Sequence, residues 1–271
     1  MKIFAIRDES MPEQFDLAYL FYYETEKRFY IELPDDADPW ETPLLLSSFV
    51  KKGEKTVNSY WSKIWVQQRI VPTDRQNLGQ ILKDNGLKEY DEFQLLTLAM
   101  GRCAQDDCYL VPIDEDQLPQ QITQRFSKRI EDVVPLDDYV LLVFFRDRTV
   151  KKCSLKEYLQ KTKPFQILLT KREYFCSIRV PAGGYGIEWD VNMSVSYDFL
   201  YRIGKRVPLS ASDFQSFISH SVVNVAEAAE ILDCSRQNVE YLTKNGKLHP
   251  IKSSAKSTLY LKSEIMKRNW R

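Results

Sequence analysis

The chain has 271 residues, 44% of them hydrophobic and 28% charged, with 9 Gly and 12 Pro. This composition excludes collagen-like and wholly disordered chains, and the length predicts about two domains or three small ones. Basic and acidic side chains balance at 38 each, so a simple polycation is excluded. No stretch approaches the roughly 18 uncharged apolar residues of a membrane helix. Residues 1–9 meet acid too early for a signal peptide.

Charge is uneven along the chain. Residues 1–119 carry 13 basic and 22 acidic side chains, a net of −9. Residues 120–221 carry 16 and 11, and residues 222–271 carry 9 and 5, nets of +5 and +4. This asymmetry predicts three units with different partners, over 1–119, 131–207 and 222–271, with seams near 112–123 and 207–221. The five cysteines, Cys103, Cys108, Cys153, Cys176 and Cys234, are odd in number, spread out and without a CxxC pair. A disulfide framework is not expected, and the chain reads as cytoplasmic. With only His220 and His249 present, neither a structural zinc site nor a His-based metal site can be assembled. No nucleophile–base pair is visible, so no catalytic residue, cofactor or enzyme activity is expected.

In the first unit, residues 15–23 and 29–33 are dense in aromatics and predict paired strands. Asp35, Asp36 and Asp38 fall in a turn-rich loop too short for an EF-hand, whose ligands run through position 12. A helix over 58–68 places Trp61 and Trp65 at helical spacing, as core. Residues 78–85 form an amphipathic helix with Leu78, Ile81 and Leu82 inward and Gly86 as its stop. Residues 91–100 form another, with Phe93, Leu95, Leu96 and Leu98 inward. Trp65, Arg69-Ile70-Val71-Pro72, Arg75, Leu78, Leu82, Gly86-Leu87, Leu95-Leu96, Gly101 and Asp106-Asp107-Cys108-Tyr109-Leu110 carry a further signal. Over 58–113 they are similar to the leader segment of HipA-like kinases of Gram-positive bacteria and their phages. No nucleotide loop with its Lys and no HRD- or DFG-like pair follows, so kinase activity is not carried over. The resemblance implies a toxin–antitoxin or phage-related setting.

In the middle unit, residues 139–145 read as a strand, Arg146-Asp147-Arg148 as a polar turn, and 149–153 as the returning strand. Ser154 can cap a helix over 155–160. Residues 174–180 and 187–189 are expected to pair as strands across 181–186, and 197–203 to close the unit as a helix. Val134-Pro135-Leu136-Asp137-Asp138-Tyr139, Leu142, Phe144, Gly184, Ile187-Glu188-Trp189 and Asp198-Phe199-Leu200-Tyr201 resemble the bacterial family known as domain of unknown function 2442. That implies a compact α+β module without assigned chemistry. Other members tend to carry a Gly where this chain has Arg146-Asp147-Arg148. Gly183-Gly184-Tyr185-Gly186 could suggest a phosphate loop, but a strand follows it and no Lys is near, so a plain turn is expected.

In the last unit, Asn224 can cap a helix with Val225, Ala228, Ala229 and Leu232 inward. Ser235 can cap a second, 236–245, with Val239 and Leu242 inward and Gly246 ending it. Two short helices, a tight turn and a small residue at the crossing predict a helix-turn-helix. Residues 248–251 and 258–261, with a polar tip between them, read as a hairpin, and Ser263 opens a last helix. Ala228-Ala229-Glu230-Ile231-Leu232, Ser235-Arg236-Gln237-Asn238-Val239, Leu242, Asn245-Gly246-Lys247-Leu248 and Tyr260-Leu261-Lys262-Ser263-Glu264-Ile265 resemble excisionase-like and MerR-like helix-turn-helix domains. The resemblance implies that the second helix enters the major groove of double-stranded DNA. The expected DNA-binding residues are Ser235, Arg236, Gln237, Asn238, Tyr241 and Lys244 on that helix, with Lys252 and Lys256 on the hairpin. Glu240, near the same face, is unfavourable beside phosphates.

The expected fold class is therefore α+β: a small N-terminal α+β unit, a small α+β middle unit with antiparallel hairpins, and a C-terminal winged helix-turn-helix. The expected partner is double-stranded DNA, with the upstream units sensing a signal, forming a homodimer or holding a protein partner. The other reading is a protein–protein interaction module of a toxin–antitoxin or phage-related system without DNA binding, in which the acidic first segment holds a basic partner or folds back to mask the basic last one.

Overall fold

The computed structural model describes all residues except 13–14, 191–192, 255 and 270–271. It is a mixture of helices and antiparallel sheets, an α+β fold. The chain divides into two compact units, 1–147 with 153–204 and 148–152 with 205–271.

The first unit is built on a five-stranded sheet. Its strands are β1 (Lys2–Asp8), β2 (Ala18–Tyr23) and β3 (Arg28–Glu32), then β4 (Thr56–Val57) and β5 (Cys108–Pro112). They run antiparallel in the order β4-β3-β2-β1-β5, with Phe4 opposite Leu20 and Phe21 opposite Tyr30. Side chains alternate across a strand, and here both faces are covered. Phe4, Ile6, Leu20, Tyr22, Phe29 and Ile31 enter one core, while Ile3, Ala5, Tyr19, Phe21 and Tyr30 enter another. A sheet buried on both sides needs continuous apolar strands, which explains the aromatic density of residues 18–31.

The first core is closed by helices α1 (Leu44–Lys51), α2 (Ser59–Gln67) and α4 (Glu92–Leu98), through Leu46, Phe49, Trp65, Val66 and Leu96. The helix α3 (Leu78–Asp84) has no buried residue. Asn58 caps α2 by accepting from the Trp61 amide at 3.1 Å, and Gly86 takes φ +70° after α3, as a helix stop requires. The acidic loop after Leu33 is a plain turn, in which Asp38 accepts from the Trp40 amide at 2.7 Å.

The second core is shared with the middle of the chain. Helix α5 (Gln120–Ser127) contributes Ile122 and Phe126. Strands β6 (Ile130–Pro135) and β7 (Val140–Phe145) pair antiparallel, and β8 (Val150–Ser154) follows. Next come α6 (Lys156–Lys161), α7 (Ile167–Thr170), α8 (Arg172–Cys176), the hairpin β9 (Gly186–Asp190) and β10 (Met193–Ser196), and α9 (Tyr197–Ile203). Leu141, Phe145, Cys153, Leu159, Phe175, Ile187 and Leu200 pack in the same cluster as Tyr19 and Phe21. The seam expected near 112–123 thus falls inside one unit, because one face of the N-terminal sheet is buried against the middle segment.

Four local expectations are corrected. Trp61 and Leu98, expected in the core, are exposed at 42% and 53%. Residues 174–180 do not form a strand: α8 occupies their start, and a single bridge links Arg179 to Glu188. Phe175 is fully buried here, and a one-sided apolar pattern of this length suits a helical turn as well as a strand. Ser154 does not cap α6, whose N-cap is Leu155 with no side-chain hydrogen bond. The glycine turn is structural. Gly183 and Gly184 have φ of +81° and +71°, and a Cβ on Gly184 would collide with the Ile130 carbonyl.

Among the described residues, no helix is long and apolar enough to cross a membrane, and no group of three or more His, Cys, Asp or Glu is placed to hold a metal ion.

Candidate nucleic-acid interface

The second unit includes β11 (Lys205–Arg206), which pairs with Lys151 and Lys152, and α10 (Ala211–Ser221), capped by Ser210. Its core lies further on, among β12 (Val222–Asn224), α11 (Val225–Ile231), α12 (Arg236–Lys244), β13 (Lys252–Ser253), β14 (Thr258–Leu261) and α13 (Lys262–Asn269). Val223, Ala228, Ala229, Val239, Leu242, Leu248, Tyr260 and Ile265 are all buried in one cluster. Ala228 and Ala229, at 0% and 6% exposure, are the small residues that let two helices approach closely.

Both helices begin and end as local chemistry dictates. The Asn224 side chain accepts from the amides of Ala226 and Glu227 at 2.8 and 3.1 Å, and Glu227 reaches back to the Asn224 amide at 2.8 Å. This is a reciprocal capping box. At its other end, the amides of Asp233 and Cys234 bond back to the carbonyls of Glu230 and Ala229 at 3.2 and 3.0 Å. Asp233 occupies the left-handed region at φ +48°, a position that glycine usually fills. Ser235 then caps α12 by accepting from the Asn238 amide at 3.3 Å. Gly246 (φ +64°) and Lys247 close α12 in the same way, bonding to the carbonyls of Thr243 and Leu242 at 3.0 and 2.8 Å. These bonds set the turn between the helices without any long-range contact.

The exposed side of α12 follows from the pitch. At 3.6 residues per turn, Arg236, Glu240, Lys244, Gln237 and Tyr241 fall within an arc of about 140°. All five are exposed, while Val239 and Leu242, on the opposite side, are buried. Asn238 is exposed too, but lies outside that arc, beside the buried edge. Glu240 stands one turn from both Arg236 and Lys244, so an anionic group interrupts the cationic row. Ser235 is exposed at the helix start, where its hydroxyl is used in the cap.

Lys252 and Lys256 are exposed on the β13–β14 hairpin. In that hairpin Lys252 pairs with Leu259, and Ser254 and Ser257 bond across the tip. Strand β12 joins β14 on its other side, with Val223 opposite Tyr260. This makes a three-stranded sheet where the sequence suggests a two-stranded hairpin. The one available signal was the β-branched pair Val222-Val223 directly before the Asn224 cap. Two further ties anchor the hairpin. The Tyr260 hydroxyl and Thr243 Oγ1 are 2.8 Å apart, and Glu264 accepts from the His249 amide at 2.8 Å.

No curated protein and no solved structure is significantly similar to the chain. Two families match parts of it, and both matched segments lie beyond residues 58–113. Residues 130–206 match a family described as a protein of unknown function, DUF2442, and residues 222–268 match the helix-turn-helix domain family.

Proposed function

We propose that the chain is a sequence-specific double-stranded DNA-binding protein, acting through residues 222–271 as a transcriptional regulator or an antitoxin-like repressor. The observation that carries this reading is the open face of α12. Arg236, Gln237, Tyr241 and Lys244 share one solvent-exposed arc on a helix capped at both ends, within a segment similar to helix-turn-helix domains. An α-helix fits the major groove, where Arg pairs with guanine and Gln or Asn with adenine through two parallel hydrogen bonds. Asn238, off the arc, reaches base edges only if the helix rolls toward its side. Ser235, at the N-terminal end of α12, contacts a phosphate on this reading, as helix N-termini favour anions. Lys252 and Lys256 act from the hairpin as a wing, adding affinity and salt dependence without sequence information. A single module of this size binds weakly, so the working form is a homodimer on a two-fold site.

The test is fluorescence anisotropy of the full chain on genomic duplexes across a salt series. Affinity should fall as salt rises, with one duplex class clearly preferred. A slope near zero would remove the phosphate contacts and leave the protein-interaction reading in their place.

A further inference from the structure

The compact unit that holds the helix-turn-helix is more basic than residues 222–271 alone. Over 148–152 and 205–271 it carries 14 basic and 6 acidic side chains, a net of +8. Residues 222–271 supply half of that excess. The other half comes from 148–152 and 205–221, which hold five cations, Arg148, Lys151, Lys152, Lys205 and Arg206, against one acid, Asp213. Asp213 is engaged locally, accepting from the Ser210 amide and hydroxyl at 3.0 and 2.7 Å in the α10 cap.

Four of these cations oppose one another. In the ladder between β8 and β11, Lys205 stands opposite Lys152 and Arg206 opposite Lys151, and the Val207 amide extends the pairing to the Val150 carbonyl at 2.8 Å. Directly opposed residues bring their side chains close, so opposite charges there stabilise a sheet and like charges weaken it. Here both pairs set cation against cation. Lys152, Lys205 and Arg206 are exposed, and none of the three has an ion pair or a side-chain hydrogen bond among the described residues. Arg148, also exposed, holds a fifth cation just before β8 at φ +65°, a backbone conformation that favours glycine.

Protection of a sheet edge does not account for this arrangement. Lysine on an outer strand discourages pairing with other chains, and β11 is the outer strand of its sheet. That reason covers Lys205 and Arg206. It leaves Lys151 and Lys152 on the inner strand, where carboxylates would have served the ladder better. An anionic partner lying along the ladder offsets the repulsion within both pairs.

We propose that the β8–β11 strand pair is a further DNA contact of this unit, holding the phosphate backbone of the duplex whose bases α12 reads. On the DNA-binding reading, on which this rests, the helix contributes sequence preference and the strand pair contributes charge. The two opposed pairs fall on opposite faces of the ladder, so its edge is cationic on both sides. Phosphate contacts of this kind carry no sequence information and release counterions on binding.

Anisotropy of the full chain on the preferred duplex and on a scrambled one, across a salt series, tests it with the triple variant Lys152→Gln, Lys205→Gln, Arg206→Gln beside wild type and Arg236→Ala. The triple variant should lose affinity for both duplexes alike, by about tenfold or more at low salt, and its log–log salt slope should fall by about 2–3. Its melting temperature should hold or rise, because like-charge repulsion has been removed. An unchanged slope, a loss confined to the preferred duplex, or a clearly lowered melting temperature would each overturn the proposal. If the triple variant keeps its slope while Arg236→Ala loses the preference, α12 binds DNA without the strand pair. The reverse pattern keeps the strand contact and removes the role of the helix, and failure of the wild-type chain to bind any duplex removes both.

Discussion

Arg129 and Glu32, 97 positions apart in the chain, meet in the core of the first unit with Nη2 and Oε1 separated by 2.9 Å and neither side chain exposed to solvent. Arg129 also donates to the hydroxyls of Tyr185 and Tyr23 at 2.6 and 3.0 Å, and its guanidinium lies 3.4 Å from the Phe126 ring centroid. Arg125 adds a second cation to Glu32 at 3.2 Å, and Thr56 donates to it. Burial pushes the Glu32 carboxyl up, and Arg129 and Arg125 oppose that rise. A similar long-range pair starts four positions earlier on the same strand: Arg28 of β3 makes a two-pronged bond to Glu188 of β9 at 2.8 and 2.9 Å. These ion pairs tie the N-terminal sheet to the middle segment.

Removing one partner of such a pair strands a buried charge. Arg129→Met is therefore expected to destabilise the first unit by about 3–5 kcal/mol. The double variant Glu32→Gln with Arg129→Met should cost clearly less than the two single changes added together. Urea denaturation of the four chains measures the coupling, and simple additivity would contradict the pairing.

The cysteines should differ sharply in reactivity. Burial, with the Asp106 carboxylate adding to it, pushes the Cys108 thiol up to about 12. At about pH 8 only some one in ten thousand of it is thiolate, the reactive form. Cys153 is fully buried, whereas Cys176 is exposed. Iodoacetamide should label Cys176 first and reach Cys108 and Cys153 only after unfolding, as peptide mass mapping would record. Rapid labelling of Cys108 in the folded chain would contradict its placement.

Alkaline pH should weaken the first unit. Burial pushes Tyr30 up to about 12, with Arg28 pulling the other way, and burial also raises Tyr185 well above the ordinary tyrosine value. An unfolded chain releases those protons near pH 10. The stabilisation is thus fully present below about pH 10 and lost as pH climbs through about 12. Melting temperature should fall as pH rises through that window. A melting temperature that rises above pH 10 would reverse the sign.

On the proposed DNA-binding reading, the α12 side chains assigned to bases and those assigned to phosphates should separate by their signatures. Arg236→Ala should cost about 1–3 kcal/mol on the preferred duplex and flatten the preference, while Lys244→Ala should weaken all duplexes and lower the salt slope by about 1. Glu240→Gln, removing the anion between them, should tighten binding to every duplex. Anisotropy on preferred and scrambled duplexes distinguishes these outcomes, and identical profiles for all three variants would deny α12 its role.

The helix-turn-helix was legible in the sequence because its determinants are local. Asn224 with Glu227, Ser235 with Asn238, and Gly246 act across three or four residues, so each can be read from its neighbours alone. The apolar spacing of Val239 and Leu242 likewise settles which face of α12 stays open. The tertiary structure decided the rest. That the strands at 18–23 and 28–32 are covered on both sides, that residues 1–119 and the middle segment share one core, and that Glu32 finds Arg129 depend on which surfaces meet after long loops close. So does the third strand at Val222–Asn224, which needs a partner more than 30 positions away. Sequence periodicity reports which residues want burial. It carries no information on what buries them, because apolar contact is non-directional and a buried ion pair is specified only by the packing that brings its two halves together.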